Sequence, residues 1–451
     1  MRRRDLQSSK ESTYRSTCLR QWAVCTLGAF HLEVYMSDIC FNHETWISKL
    51  KDHLGQERYA PRTVSRGMAV ARHFLASLEK QHVKVDTTRP ANVEQYLQEA
   101  RRRYRRRHGH SPDYKGWRGV QTSSIHMLLR LAQGQWPPIL VATTPAQRLQ
   151  QDICGEYAQW MSGLRGLSQV TISDRGAEAR RFLDWLGQRT ARGEIANLVL
   201  VDVDAYVKNR ASSLCRRTLK GFATNIRSFL RWLHMTGQTT RDLSSTVINP
   251  SFHAFESIPS ALRAQEVREV LAATRKDCTP KGIRDYAILM LLSTYGVRAG
   301  EVVALRLDDI DWRKEVIRIR HSKTGSTSYL PLLPKVGEAL LKYLQKSRPR
   351  TPIREMFIRC HAPYRPFQDG SSLYGLVQCR LGAAGVVPTG KRGPHAFRHA
   401  RAVSMLRATV PVKEIGDVLG HRAADSTWVY LKLAAEDLRA VALEIPTEVK
   451  P

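Results

Sequence analysis

The stretch LGHRAADSTWVYLKL, Leu419–Leu433, sets His421 directly after a glycine and Tyr430 further along the same segment. Upstream, GVRAGE carries Arg298 and Glu301, HSKTGS carries Lys323, and PHAFRH carries His395 and Arg398. Together these residues offer two guanidinium groups, an ammonium, two imidazoles and a phenol. A guanidinium grips a phosphate bidentately through its planar fork. Under attack a phosphodiester gathers charge on its non-bridging oxygens, so two such clamps would stabilise the transition state directly. A tyrosine hydroxyl becomes a nucleophile once its proton, with a pKa of about 10, is drawn off. His395 or His421 could take or share that proton, and a lysine on a loop could protonate the departing 5′-oxygen. The arginines would supply the charge a metal ion otherwise brings, so the expected cofactor and metal content is none.

Each residue alone has a plainer reading. Arg298 and Glu301 could be a helix-surface ion pair. Lys323 could be an ordinary turn lysine. His395 and His399 have i, i+4 spacing, but no H-E-x-x-H pattern makes them a zinc site. His421 could answer a helix dipole, and Tyr430 could fill a core. Five separated segments turning chemical together is the harder coincidence.

The elements that must position these residues are legible. Ile283 to Tyr295 reads as an apolar helix with Gly296 in the C′ position, and a second helix places Arg298 and Glu301 on one face. EVIRIRHSKTGSTSYLPLLP alternates as a hairpin whose tip, His321–Ser328, holds Lys323. Pro394 opens a helix on which His395 and Arg398 face one way. VKEIGDVLGHR is a short helix capped by Gly420 with His421 just beyond. Asp425 or Ser426 can N-cap a last helix bearing Tyr430, and KLAAEDLRAVALEI can form one more amphipathic helix.

The chain has 451 residues, 71 Lys and Arg against 41 Asp and Glu, and a formal net charge of +30. At roughly 150 residues per domain this length implies about three domains. Such a charge points to a polyanion, nucleic acid first. No apolar run approaches the roughly 18 residues of a membrane span, so no membrane partner is expected. The eight cysteines show no C-x-x-C or zinc-finger spacing, and read as reduced, mostly buried thiols in the cytosol. The Arg- and Ser-rich start lacks a secretory signal's apolar run. A transit peptide and an over-long start ahead of Met36 both stay open.

Self-comparison finds a repeat. TVSRGMAVARHFLASL from Thr63 matches TISDRGAEARRFLDWL from Thr171, with Ala71, Arg72, Phe74, Leu75 and Leu78 recurring as Ala179, Arg180, Phe182, Leu183 and Leu186. Val93 and Tyr96 recur as Val203 and Tyr206, and SSIHMLLRL from Ser123 as TNIRSFLRWL from Thr224. Each copy reads as several amphipathic helices. Proline-bearing breaks at Gly134–Gln147 and Asn249–Val267 separate the parts. The expected organisation is an N-terminal extension over 1–35, a helical unit over 36–140, a second over 146–250 and a third part over 260–445. The first unit carries RRRYRRRHGH, with Arg101, Arg102, Arg103, Arg105, Arg106 and Arg107, then Lys115, Trp117 and Arg118. Charge runs are usually solvated loops. With the whole chain so basic, this one is expected to track DNA phosphates without reading sequence.

In their order and spacing, Gly296–Glu301, Ser322–Ser326, His395–His399, Leu419–His421 and Tyr430 resemble the signature set of the tyrosine recombinases, the phage integrase family. The resemblance covers about 260–440, and the second helical unit resembles that family's core-binding domain; the first unit is an addition to the pattern. The resemblance implies a mainly α fold: helical DNA-binding units followed by an α+β catalytic domain with a small antiparallel sheet. It implies that Tyr430 forms a 3′-phosphotyrosyl bond, Arg298 and Arg398 clamp the phosphate, Lys323 acts as general acid, His395 assists proton transfer, His421 hydrogen-bonds the phosphate, and Glu301 orients Arg298. It implies a metal-independent, site-specific recombinase on double-stranded DNA, working as a homotetramer in a prokaryotic cytoplasm and associated with the nucleoid when bound. The extra unit points, by analogy, to a mobile-element recombinase of integration or transposition working beside sister recombinases. The rival readings are a type IB topoisomerase-like DNA relaxase and a non-catalytic DNA-binding relic.

Overall fold

Helices here open on proline and close on glycine at many boundaries, where a missing N–H and a left-handed backbone do no harm. The computed structural model describes residues 29–138, 142–249, 261–321 and 325–420. The described residues are mainly helical with one small sheet, and form two compact units. One lies within 139–257; the other comprises the described parts of 1–138 and 258–451.

In the latter unit, the N-terminal helices are α1 (Ala29–Gln56), α2 (Pro61–Lys80), α3 (Pro90–His108) and α4 (Tyr114–Gln133). Helix α1 thus begins ahead of the expected boundary at 36. The run Arg101–Arg107 is not a loop but the last two turns of α3, which ends at the left-handed Gly109. Arginine is a good helix former, and the run simply continues the helix that Pro90 opens. Glu57 pairs with Arg365 at 2.9 Å and Arg58 donates to the Arg350 carbonyl, so the α1–α2 corner meets the 350–365 loops.

The 139–257 unit contains α5 (Pro145–Gly163), α6 (Gln169–Leu186), α7 (Arg192–Ala196), α8 (Leu200–Ala211) and α9 (Arg216–Met235). The internal repeat reappears as packing. Ala71, Phe74, Leu75 and Leu78 are buried in one copy, and Ala179, Phe182, Leu183 and Leu186 in the other. Phe74 meets Tyr96 edge-on at 5.3 Å and 79°, and Phe182 meets Tyr206 at 5.0 Å and 80°. The same aromatic pair anchors both cores, in an arrangement that ring quadrupoles favour.

The rest of the first unit runs α10 (Ala264–Lys276), α11 (Pro280–Tyr295), α12 (Ala299–Val303), β1 (Ile310–Asp311), β2 (Val316–Arg320), β3 (Thr327–Pro331), α13 (Pro334–Lys346), α14 (Ser372–Ala383), α15 (Pro394–Arg407) and α16 (Val412–Leu419). Helix α11 is apolar on nearly every side because α10, α13 and α15 pack around it. The strands form an antiparallel sheet in the order β1-β2-β3, with Ile317 opposite Leu330 and Arg320 opposite Thr327. Ile317 and Ile319 face the core while Arg318 and Arg320 reach Asp309 on the other face.

Two further expectations need correction. His321 is no loop tip: it is buried at the base of the loop, because β2 stops at Arg320. Nor are the thiols buried among the described residues: Cys215, Cys278 and Cys379 are exposed, and Cys154 and Cys360 only partly covered. Cys215 and Cys278 lie at helix boundaries and Cys379 on an outer helix face. Among the described residues no helix is long and apolar enough to cross a membrane.

Candidate active site

The site is built where three helix ends meet. Helix α11 ends at Gly296 with φ 67°, and a Cβ there would lie 2.7 Å from Cδ2 of Leu419. Only glycine accepts both the conformation and the approach. The turn delivers Arg298 to the N-cap of α12. Its backbone N–H donates to Oε2 of Glu301 at 2.7 Å, and its Nη1 donates to Oε1 at 2.8 Å. Its Nη2 donates to the carbonyl of Gly420 at 3.1 Å.

Glu301 is only 3% exposed. Burial alone would raise its pKa, but His321 and both the backbone and guanidinium of Arg298 hold it below the ordinary carboxylate value. The charged form therefore stays bound to Arg298 and fixes its direction.

Helix α15 begins with Pro394 and turns His395 outward to solvent. One turn later Arg398 is 4% exposed. Its Nη1 donates to the Gly296 carbonyl at 2.8 Å and its Nη2 to the Leu419 carbonyl at 2.7 Å. These acceptors are the orphan carbonyls at the ends of α11 and α16, where the helix dipoles are negative. Gly420 caps α16 with φ 64°, and a Cβ there would fall 2.5 Å from the His321 ring. The main chain of His321 closes the loop to β3, donating to Ser326 at 2.9 Å and accepting from Gly325 at 2.8 Å. His399 sits behind His395, with Lys391 Nζ 3.0 Å from its Nε2.

Arg298 and Arg398 thus converge on one knot of main chain at Gly296, Leu419 and Gly420, with Glu301 holding Arg298 from the side. His395 stands on the same helix as Arg398. Lys323, His421 and Tyr430 lie outside the described residues, as do Asp425, Ser426 and the tail helix. Lys323 follows His321 by two positions and His421 directly follows Gly420. His321 was missed at the sequence level; its adjacency to Lys323 was the available signal, and its partner Glu301 is remote in sequence.

The basic run divides in the structure. Arg101, Arg102, Arg105, Trp117 and Arg118 line a cleft of about 530 Å³ between α3 and α4. Arg103 lies over the Tyr96 ring at 5.7 Å, and Arg106 and Arg107 are exposed elsewhere on α3. Arg118 forks onto Glu94, Nη1 to Oε1 at 3.1 Å and Nη2 to Oε2 at 2.8 Å. The side chain of Lys115 lies outside the described part of the chain.

Residues 260–437 match the family model described as the phage integrase family. The y4gC protein of Sinorhizobium fredii (strain NBRC 101917 / NGR234), which carries an integrase/recombinase name, is 56% identical over 193 residues, 43% of this chain and 99% of its own. The y4rA protein of the same strain, similarly named, is 39% identical over 297 residues, 65% of this chain and 71% of its own. The solved structure of the XerH site-specific recombinase bound to palindromic difH substrate, a post-cleavage complex, aligns with TM-score 0.50 at 14% identity, over 67% of this chain and 98% of that one. That last likeness concerns fold alone.

Proposed function

This chain belongs to the phage integrase family of tyrosine recombinases, enzymes that break and rejoin DNA, and from that premise we propose that it is a site-specific recombinase whose nucleophile is Tyr430. The phenol oxygen attacks the scissile phosphorus and its proton passes to His395. The P–O5′ bond breaks, and Lys323 protonates the departing 5′-oxygen. One phosphodiester replaces another, so the 3′-phosphotyrosyl link keeps the bond energy for rejoining to a 5′-hydroxyl of a partner duplex. Arg298, Arg398 and His421 hold the non-bridging oxygens.

The observation that carries this reading is the common anchorage of Arg298 and Arg398. Arg398 is held by the Gly296 and Leu419 carbonyls and Arg298 by the Gly420 carbonyl and Glu301, so both guanidiniums are oriented before a phosphate arrives. Preorganised charge of this kind is worth far more to a transition state than charge that must first be assembled.

On this reading 36–140 and 146–250 are helical DNA-binding units and 260–445 the catalytic domain, with 1–35 an extension. The arginines of α3, with Lys115 and Arg118, track phosphates. Four protomers bring two duplexes together in the bacterial cytoplasm, where strands exchange in pairs and the segment after Leu433 reaches a neighbouring protomer. The test is strand exchange between two duplexes carrying a sequence selected by this protein from a random pool. Joined products from the wild type and none from Tyr430→Phe support recombination. Relaxation of supercoiled plasmid without exchange would make it a relaxase, and tight binding with neither activity would make it a non-catalytic binder.

A further inference from the structure

We infer that His321 is a positioning residue that assembles the site, an inference resting on the recombinase reading above. The His321 ring is 2% exposed. Its Nδ1 lies 2.8 Å from Oε1 of Glu301, and its Nε2 lies 2.8 Å from Oγ of Ser328. Beside a carboxylate, Nδ1 carries the proton. The ring then donates from Nδ1 to Glu301, with Nε2 set against the Ser328 hydroxyl. An apolar residue of similar volume would fill the space but leave that carboxylate oxygen to Arg298 alone.

The same residue touches four parts of the site. Through Glu301 it fixes the carboxylate that receives both the backbone and the guanidinium of Arg298. Its main chain clasps the loop ends at Ser326 and Gly325, and Lys323 lies within that loop. Through Ser328 it grips β3. Its ring occupies the space left by the absent Cβ of Gly420, the residue whose carbonyl receives Arg298 and which precedes His421. Through its ring and its main chain together, this one residue ties the phosphate clamp to β3, to the loop ends and to the α16 terminus. Outer-shell partners that orient metal ligands are worth about 10- to 100-fold in activity, and the same range is taken for a partner that orients a phosphate-binding guanidinium.

The experiment is single-turnover cleavage of a nicked duplex carrying the pool-selected sequence, with its binding affinity measured alongside. His321→Ala is expected to slow adduct formation by about 10- to 100-fold with affinity changed less than about twofold. His321→Asn places its amide nitrogen near the Nδ1 position and is expected to recover most of the rate. His321→Gln, whose amide reaches toward Ser328 instead, is not. The Asn and Gln pair decides the matter even if the alanine variant fails to fold. Arg298→Ala serves as the reference. If it cleaves like the wild type, the underlying recombinase assignment of Arg298 fails. If it is inactive while His321→Gln matches both His321→Asn and the wild type, the role given to His321 is overturned and the recombinase reading stands.

Discussion

The guanidinium of Arg398 donates to the carbonyl of Gly296 at 2.8 Å, joining the start of α15 to the end of α11. With its second bond, to Leu419, it ties two helix ends that would otherwise bury unpaired carbonyls. Arg298, just beyond Gly296, does the same at Gly420. The residues assigned to grip phosphate are thus also structural pins, and replacing them should change more than catalysis.

Arg398→Lys separates these roles by geometry. An ammonium keeps the charge but lacks the planar fork that spans both carbonyls. Losing one charge-assisted bond of this type should cost about 1.5–3 kcal/mol. Hydrogen exchange at the end of α16 should therefore quicken by more than about tenfold in the free protein. Unchanged protection there would show that the two carbonyl bonds contribute little.

Gly420→Ala should destabilise the same corner by about 1–3 kcal/mol, because a non-glycine residue is strained at positive φ and its Cβ meets the His321 ring at 2.5 Å. Gly155, exposed on α5 with nothing within 4 Å of where a Cβ would stand, is the control. Gly155→Ala should stabilise by about 0.5–1 kcal/mol. Thermal unfolding of the full chain distinguishes the two signs.

A pH dependence follows from Asp277. The Thr279 hydroxyl and then Arg380 hold its carboxyl down to about 2 from an ordinary 3.8. A depressed folded-state pKa gives stability that is complete above the unfolded value and is lost as pH falls through the folded one. The stability gap between wild type and Asp277→Asn, read by urea unfolding, should be steady at pH 5–6 and narrow from about pH 4 toward pH 2. A gap that widens on acidification would contradict the ion-pair geometry at Arg380.

For the α3–α4 cleft, combined Arg101→Ala, Arg102→Ala and Arg105→Ala should weaken DNA binding across sequences alike. The slope of log affinity against log salt should fall by about 3, at about 0.9 per phosphate neutralised. An unchanged slope would remove this face from the DNA contact.

Local signals were legible and distant ones were not. Gly296 and Gly420 were readable as helix ends because glycine after a periodic apolar run has one favoured use. The hairpin was readable from alternation, and Pro394 from its fixed φ. The Phe74 and Phe182 copies were readable because a core position tolerates few side chains. What sequence could not reveal was pairing over long separations. Nothing in HSKTGS announces that His321 meets Glu301, and nothing near Arg118 announces Glu94. The basic run reads as a solvated loop because charge patterns report solvent exposure, whereas helix continuation is set by Pro90 and Gly109 at its two ends.

In the proposed chemistry, Tyr430 becomes joined to DNA through a 3′-phosphate gripped by Arg298 and Arg398. The direct test is to trap the protein on a nicked duplex of its selected sequence, digest both partners and locate the modified peptide by mass spectrometry. The expected result is a single 3′-phosphotyrosyl adduct on the peptide containing Tyr430, absent in Tyr430→Phe and reduced by at least about 100-fold in Arg298→Ala and Arg398→Ala. An adduct on any other residue, or none on DNA the protein binds tightly, would contradict it.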